Sequence, residues 1–528
     1  MSTDFEKVKA RYNRAKIEQQ RWVSQWEEAY NYTQPNRNAW DARFTTGQQK
    51  GIDVFDTTPE AALDAFVSKI QSALTPIGQK WMKVIAGDEV PADQKETVNQ
   101  QLENVTNILF KKLHNSNFDM VANEAYYDLA IGTSALIINE SDDDDAPFEF
   151  EAVSMFNYYP EQGANNTVKS VYRDMYGLTY DAILELWPLL KLPVTHIDIA
   201  KNDPAKKIDM SEGVVYDRKT KKHTLYVWSQ LDAECWYSVE LKESPWVISR
   251  WSKVATEVFG RGPVLKSLPS IKSLNKLAEY ELMAAAMASN PAWMVYSDGL
   301  MNPFNNIITP GGQIVTNQSP ANNAPLKALE GGGNIRVGQF TIDDLRNQVK
   351  TLMFAKSVTP EGGPVISATE VSIKAKEIAQ VIGPAFGRQM VEWVAPIVKR
   401  CLSILIKRGL IPKFELNGKQ ATLDLQSPIA TGQKLEQLVA FQQMSSTLIS
   451  TVGPELAPVA LNIAELPSFL AEVTGVPLNL IKDEESLKQL AALLMKNVMG
   501  QQAPAPGAQR GVGDAPGNNN QQLETAGI

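Results

Sequence analysis

Two helical stretches of similar size enclose a segment that can continue neither of them. In residues 268–289, Leu268, Ile271, Leu274, Ala278, Leu282 and Ala285 form one apolar stripe at helical spacing. Pro269 is expected in the tolerated first turn, and Pro291 disfavours helix at Asn290. At 1.5 Å per residue such a helix is roughly 33 Å long. The second stretch, 341–358, has Thr341 as its N-cap and a stripe of Ile342, Leu345, Val349 and Leu352. Between them, residues 290–340 hold five prolines, Gly311-Gly312 and Gly331-Gly332-Gly333, which break any helix. Strand-like runs at 293–296, 313–316 and 334–337 predict a small β-containing module on a two-helix stalk. The stripe also predicts that an aspartate at Leu274 or Leu282 buries an unpaired charge.

The flanking sequence is mainly helical, with one β-rich block. Phe5, Val8, Tyr12, Ala15, Trp22 and Trp26 share a face of a helix from about residue 3 to 32, with Thr3 and Glu6 as a capping box. A second helical unit is expected over 57–83, broken by Pro76 and Gly78. A third is expected over 96–113, and a fourth over 119–131, ending near Gly132. Residues 135–139, 148–153, 167–176, 214–217, 224–229, 234–239 and 246–251 read as strands, interrupted by a helix over 180–190. The turn at 217–222 carries four basic residues and reads as a solvated hairpin tip.

After the second stalk helix comes the loop Thr359-Pro360-Glu361-Gly362-Gly363-Pro364. Ser367-Ala368-Thr369-Glu370 then caps a long helix reaching Arg408, with Gly409 as its C-cap and distortions expected at Pro384 and Pro396. Residues 427–499 read as helical. Residues 501–528, rich in Gln, Asn, Ala, Pro and Gly, read as disordered. The fold class expected is α+β, mainly helical. No internal repeat is evident.

A chain of 528 residues implies several modules. Its net charge of −9 argues against a surface that grips nucleic acid as a whole. Two cysteines, Cys235 and Cys401, make no disulfide framework and fit a reducing compartment. No signal-peptide core opens the chain, and no apolar run is long enough to span a membrane.

The usual catalytic signatures are missing. The glycine-rich pieces lack the lysine and hydroxyl residue of a phosphate-binding loop. His114, His196 and His223 have no partner at a metal-ligand spacing. Neither catalytic residues nor a cofactor or metal site is therefore expected. Asp142-Asp143-Asp144-Asp145 could be imagined around magnesium. Adjacent carboxylates alternate in direction, however, and a solvated loop between strands is the reading adopted. Lys350, Lys356, Lys374 and Lys376 flank the Pro/Gly loop. They are either an ordinary charged helix face or, in a ring, basic belts that meet DNA phosphates without holding them tightly.

This order of elements resembles the head-to-tail connector (portal) proteins of short-tailed bacteriophages over about residues 5–500. Four segments carry the likeness: Tyr30-Asn31-Tyr32-Thr33-Gln34-Pro35; Ala65-Phe66-Val67-Ser68-Lys69-Ile70-Gln71-Ser72-Ala73-Leu74-Thr75-Pro76 with Trp81-Met82-Lys83; Val258-Phe259-Gly260-Arg261-Gly262; and Ser367-Ala368-Thr369-Glu370-Val371. The resemblance implies a wing over 1–262, stem helices over 263–289 and 341–358, and a clip over 290–340. It further implies a tunnel loop over 359–366, a long kinked helix returning to the wing over 367–426, a crown over 427–500 and a tail over 501–528. It implies a homo-oligomeric ring of twelve at the head-tail vertex of the virion, assembled in the host bacterial cytoplasm. Double-stranded DNA would pass through it without sequence specificity during packaging and ejection. The partners implied are the major capsid and scaffolding proteins, the terminase large subunit, which alone hydrolyses nucleotide, and tail adaptor or tail proteins. The loop at 359–364 departs from the family's in carrying fewer polar and charged side chains. The readings weighed against it are another head-tail adaptor, for which the stalk is unusual, and a metal-dependent nuclease built on Asp142–Asp145.

Overall fold

The computed structural model describes residues 2–37, 47–48, 50–91, 94–163, 167–232, 234–290, 335–356, 385–414 and 440–448, with short pieces at 293–296, 313–316, 326–328, 383, 421–425 and 450–451. The chain divides into two compact units, Met1–Ala430 and Thr431–Ile528. In the second, residues 440–448 are helical.

The first unit begins with α1 (Ser2–Thr33), α2 (Thr58–Leu74), β1 (Met82–Ala86), α3 (Lys95–Asn115) and α4 (Phe118–Ile131). Thr3 lies inside α1 and so does not cap it. Trp81-Met82-Lys83, read as the end of a helical unit, leads instead into β1. This strand pairs antiparallel with β13 (Ala421–Leu425), within a region expected to be long helix.

A three-stranded sheet follows, built from β2 (Thr133–Glu140), β3 (Phe148–Ala152) and β9 (Trp246–Arg250), with β2 central. Beside it in sequence, β4 (Tyr158–Gln162), β5 (Val168–Thr179), β6 (Lys207–Asp217), β7 (Lys222–Ser229) and β8 (Tyr237–Leu241) form an antiparallel meander. Two short helices, α5 (Tyr180–Leu186) and α6 (Val194–Asn202), lie between β5 and β6. The strand β4 and the helix α6 are additions to the expected set.

The main core joins Trp26 and Tyr30 of α1 to Phe66 of α2, Leu129 of α4, Leu136 of β2 and Phe259. The first half of α1 packs elsewhere. Phe5, Val8, Tyr12 and Ala15 bury against Tyr159, Tyr172, Val215 and Trp228 of the five-stranded sheet. One helix, whose buried face is interrupted by Gln19 donating to Met155 O and Phe156 O (3.1 Å each), thus fastens the meander to the main core.

A buried carboxylate fixes that attachment. Asp174 on β5 accepts hydrogen bonds from Tyr12 Oη (2.8 Å), Tyr159 Oη (2.8 Å) and Ser211 Oγ (2.6 Å), and pairs with Lys16 at 2.7 Å. Burial, followed by the neighbouring Asp174 charge, pushes the Tyr12 phenol up to about 12. A folded-state value above the ordinary phenol value of about 10 gives stability that is complete below pH 10 and lost as pH rises toward 12. The thermal midpoint is therefore expected to be level to about pH 10 and to fall beyond it. Tyr12→Phe, which cannot ionise, should make the fall shallower; an identical alkaline profile in the variant would remove Tyr12 from this account.

The stalk is formed by α7 (Pro263–Ser289) and α8 (Ile335–Leu352), and both boundaries differ from expectation. Pro263 takes the start of α7, so Pro269 lies within the helix rather than in its first turn. The helix starts earlier because Gly262 marks the turn. At 27 residues α7 is roughly 40 Å long. α8 begins at Ile335, where a strand over 334–337 was expected, so Thr341 is an internal residue and not a cap. The third strand of the insert is instead β12 (Leu326–Ala328). It pairs antiparallel with the central β10 (Trp293–Tyr296), while β11 (Gln313–Thr316) pairs parallel with it.

Pro396, with no amide proton to donate, follows a π-helical turn at Met390–Val394, after which α9 (Ala395–Lys407) continues to Gly409. Gly409 adopts φ +73°, the left-handed conformation that ends a helix. Pro384 lies outside the described residues.

Candidate functional site

The stalk is rooted by polar contacts that close around residues 53–58. Asn275 of α7 accepts from Phe55 N (2.7 Å) and donates to Asp53 O (2.8 Å). Arg346 of α8 donates to Asp56 Oδ2 (2.9 Å), whose other oxygen accepts from Thr58 N (2.8 Å) at the start of α2. Leu274, Ile342 and Val349 are buried between these elements. One short segment therefore ties both stalk helices to α2. Sequence reasoning missed Asp56, Asn275 and Arg346. Asn275 sits between Ile271 and Ala278 on the buried side of the helix, a placement that only the packing shows.

The far half of α7 is different. Tyr280, Met283 and Leu282 are solvent-facing, Leu282 at 57% exposure, and Phe340 near the start of α8 is 78% exposed. Leu282 was expected to be buried with Leu274; in the single chain it is not. The apolar stripe runs on beyond the part of the helix that the described residues bury.

At its other end α8 stops at Leu352, earlier than the expected 358, in a tight turn. Ala355 N donates to Lys350 O (2.8 Å) and Phe354 N to Thr351 O (3.1 Å), with Phe354 at φ +56°. This is a helix-ending pattern usually completed by glycine. A phenylalanine there costs about 1 kcal/mol of backbone strain, offset by its ring packing near Phe66 and Trp251. Lys69 of α2 donates from Nζ to Phe354 O (2.9 Å) and Lys356 O (2.8 Å). Burial lowers its pKa. Lys69 belongs to the α2 segment that carries the family resemblance, yet its part in closing this turn was not foreseen.

Lys350 and Lys356 are thus brought to one turn, and both are exposed. Lys374, Lys376 and the loop Thr359-Pro360-Glu361-Gly362-Gly363-Pro364 lie outside the described residues, as does the capping box at Ser367 and Glu370.

The aspartate run occupies the exposed connection between β2 and β3. Asp145 pairs with Lys112 (2.9 Å), which holds its carboxyl below the usual range, and Asp144 pairs with Arg408 (3.2 Å). Those two carboxylates turn toward different partners. Two histidines do have carboxylate neighbours that spacing did not reveal: His114 with Asp119 (3.3 Å) and His196 with Asp232 (3.0 Å). Among the described residues no three His, Cys, Asp or Glu side chains gather as metal ligands. No described helix is long and apolar enough to cross a membrane.

The sequence profile of the family described as bacteriophage head to tail connecting protein matches residues 6–481. The chain is 21% identical over 471 residues to the probable portal protein of Bordetella phage BPP-1, covering 82% of this chain and 80% of that protein. It is 20% identical over 455 residues to the portal protein of Escherichia phage T7, covering 84% and 82% of the two chains. A chain from the virion of a native gene transfer agent particle aligns with a TM-score of 0.36 and 10% identity, over 80% of this chain and 93% of that one, a likeness too low to bear on function. The match across nearly the whole length, from α1 past the stalk, places this chain in the bacteriophage head-to-tail connecting protein family.

Proposed function

We propose that this chain is the portal subunit of a short-tailed phage. Copies close into a ring of twelve at one capsid vertex and surround the path by which double-stranded DNA enters and leaves. In this reading residues 1–262 form the wing, α7 and α8 the stem, the β10–β12 insert the clip that meets the terminase large subunit and later the tail, and residues 427–500 the crown. Capsid and scaffolding proteins receive the ring during assembly in the bacterial cytoplasm. The chain itself carries no catalysis and needs no cofactor.

The observation that carries this reading is the stalk. Its root is sewn into the core by Asp56, Asn275 and Arg346, while in its far half Tyr280, Leu282, Met283 and Phe340 are exposed. An apolar helix face that the described residues leave exposed suits a neighbouring copy. Lys350 and Lys356, at the turn after α8, would repeat around a ring as a basic belt beside the loop at 359–364.

Negative-stain microscopy with mass determination on the purified chain tests the ring. Rings with a hole wide enough for duplex DNA are expected; a stable monomer or dimer in the presence of scaffold would overturn the reading. Neutralising Lys350, Lys356, Lys374 and Lys376 together to Gln should leave rings intact and change the packaging rate in an assay with terminase. Unchanged packaging would return them to an ordinary solvated face.

A further inference from the structure

The hairpin joining β6 and β7 ends in Asp217-Arg218-Lys219-Thr220-Lys221-Lys222, all six exposed. Its single acid is turned into the turn: Asp217 accepts from Lys219 N (2.9 Å) and Thr220 Oγ1 (3.0 Å). Lys222 is engaged by Glu240 at 2.7 Å. Lys219 lies within the field of the Asp217 carboxylate, and Arg218 and Lys221 have no carboxylate partner among the described residues. Lys169, on the neighbouring strand β5, lies over the Tyr216 ring (4.3 Å) at the root of the same hairpin. In a chain of net charge −9 this is a concentrated cationic point.

The backbone supplies a second observation. Lys221 has φ +55°, the left-handed region where a Cβ crowds its own chain and where glycine or asparagine is the usual occupant. A hairpin turn has no structural need for lysine there. Strain retained at such a position points to a role for the side chain.

We propose that this tip is a docking point for the phosphate backbone of nucleic acid, separate from the lysines at the end of α8. Residues 217–222 contain no apolar side chain, and a protruding tip offers no groove. Protein partners are held mainly by buried aromatic and apolar anchors. Phosphates need only positioned cations, whose binding releases counterions. The bonds to Asp217 fix the turn before any ligand arrives, so little order is lost on binding.

Fluorescence anisotropy of the full chain with a short labelled DNA duplex, measured across a salt series, tests this. In the variant R218Q/K219Q/K221Q the slope of log affinity against log salt should become shallower by about 2 to 3, since each phosphate contact contributes about 0.9. The thermal midpoint should stay at or above that of the parent chain, which separates lost contacts from lost folding. The quadruple variant at Lys350, Lys356, Lys374 and Lys376 should keep the tip's share of the slope even where the channel reading fails. An unchanged slope in the triple variant overturns the proposal, as does an absence of salt-dependent duplex binding by the parent chain. Loss of binding to a poly-glutamate peptide with duplex binding retained overturns it in favour of an acidic protein partner.

Discussion

Leu282→Asp should yield a folded chain that no longer forms rings, whereas Leu274→Asp should fail to fold. The two residues lie on one stripe of α7, two helical turns apart, and chemistry alone does not separate them. Burial does: Leu274 is fully enclosed, and Leu282 is 57% exposed. A carboxylate at position 274 would sit in the packed core at the root of the stalk, out of reach of water. Its desolvation alone costs several kcal/mol, a large part of a domain's total stability. At position 282 the carboxylate stays in water in the single chain. The folded monomer loses only about 0.5 kcal/mol of helix propensity.

The cost at position 282 appears on assembly. If neighbouring copies cover Tyr280, Leu282 and Met283, each interface in the ring gains one desolvated charge, and the penalty repeats at every subunit. Circular dichroism and thermal melting would show a native chain, and mass measurement would show monomer. Rings of normal size from the Leu282→Asp chain would mean that this face stays in water, and the subunit contact must then be sought elsewhere. An intact fold for Leu274→Asp would contradict the packing of the stalk root.

The parts of the fold legible in sequence were those decided locally. α1, α3, α4 and the root of α7 each bury one face, so their spacing announced them. β4 was hidden because Tyr158–Gln162 contains Pro160, which reads as a turn; an edge strand tolerates it, since no neighbour requires that amide. β1 and β13 are far apart in the chain and exist as strands because they meet, a fact that neither segment carries alone. The start of α8 was misread because Ile335 and Val337 are β-branched and follow three glycines; the helix forms nonetheless, overriding local preference. For the candidate site, charge and loop composition singled out Lys350 and Lys356 as candidates, and both lie exposed at the end of α8. The side chains that fix their turn and the stalk root, Lys69, Asp56, Asn275 and Arg346, act through partners distant in sequence.

Gly262→Ala should be the most damaging glycine-to-alanine change among the described residues. The turn Gly260-Arg261-Gly262 and the end of α4 at Gly132 approach backbone to backbone. Gly262 N donates to Ile131 O (2.7 Å), Gly260 N to Thr133 Oγ1 (2.8 Å), and Trp251 N to Gly132 O (2.9 Å). A Cβ at Gly262 would lie 2.0 Å from Ala130 O, and one at Gly132 2.1 Å from Gly260 O. Backbone atoms cannot swing aside as a side chain can. The two segments would have to separate, opening a junction lined by Ile131, Phe259 and Val264, all buried. Overpacking of this kind costs about 3 kcal/mol. It acts where α7 leaves the core, so the direction of the whole stalk depends on it. A urea titration should show a lower midpoint for Gly262→Ala and for Gly132→Ala. Limited proteolysis should cut first near residues 252–263 in both. Gly383→Ala, where a Cβ meets nothing within 4 Å, should behave as the parent chain. If Gly262→Ala matched that control, the close approach of α4 to the α7 turn would not exist in solution, and the stalk would need another anchor.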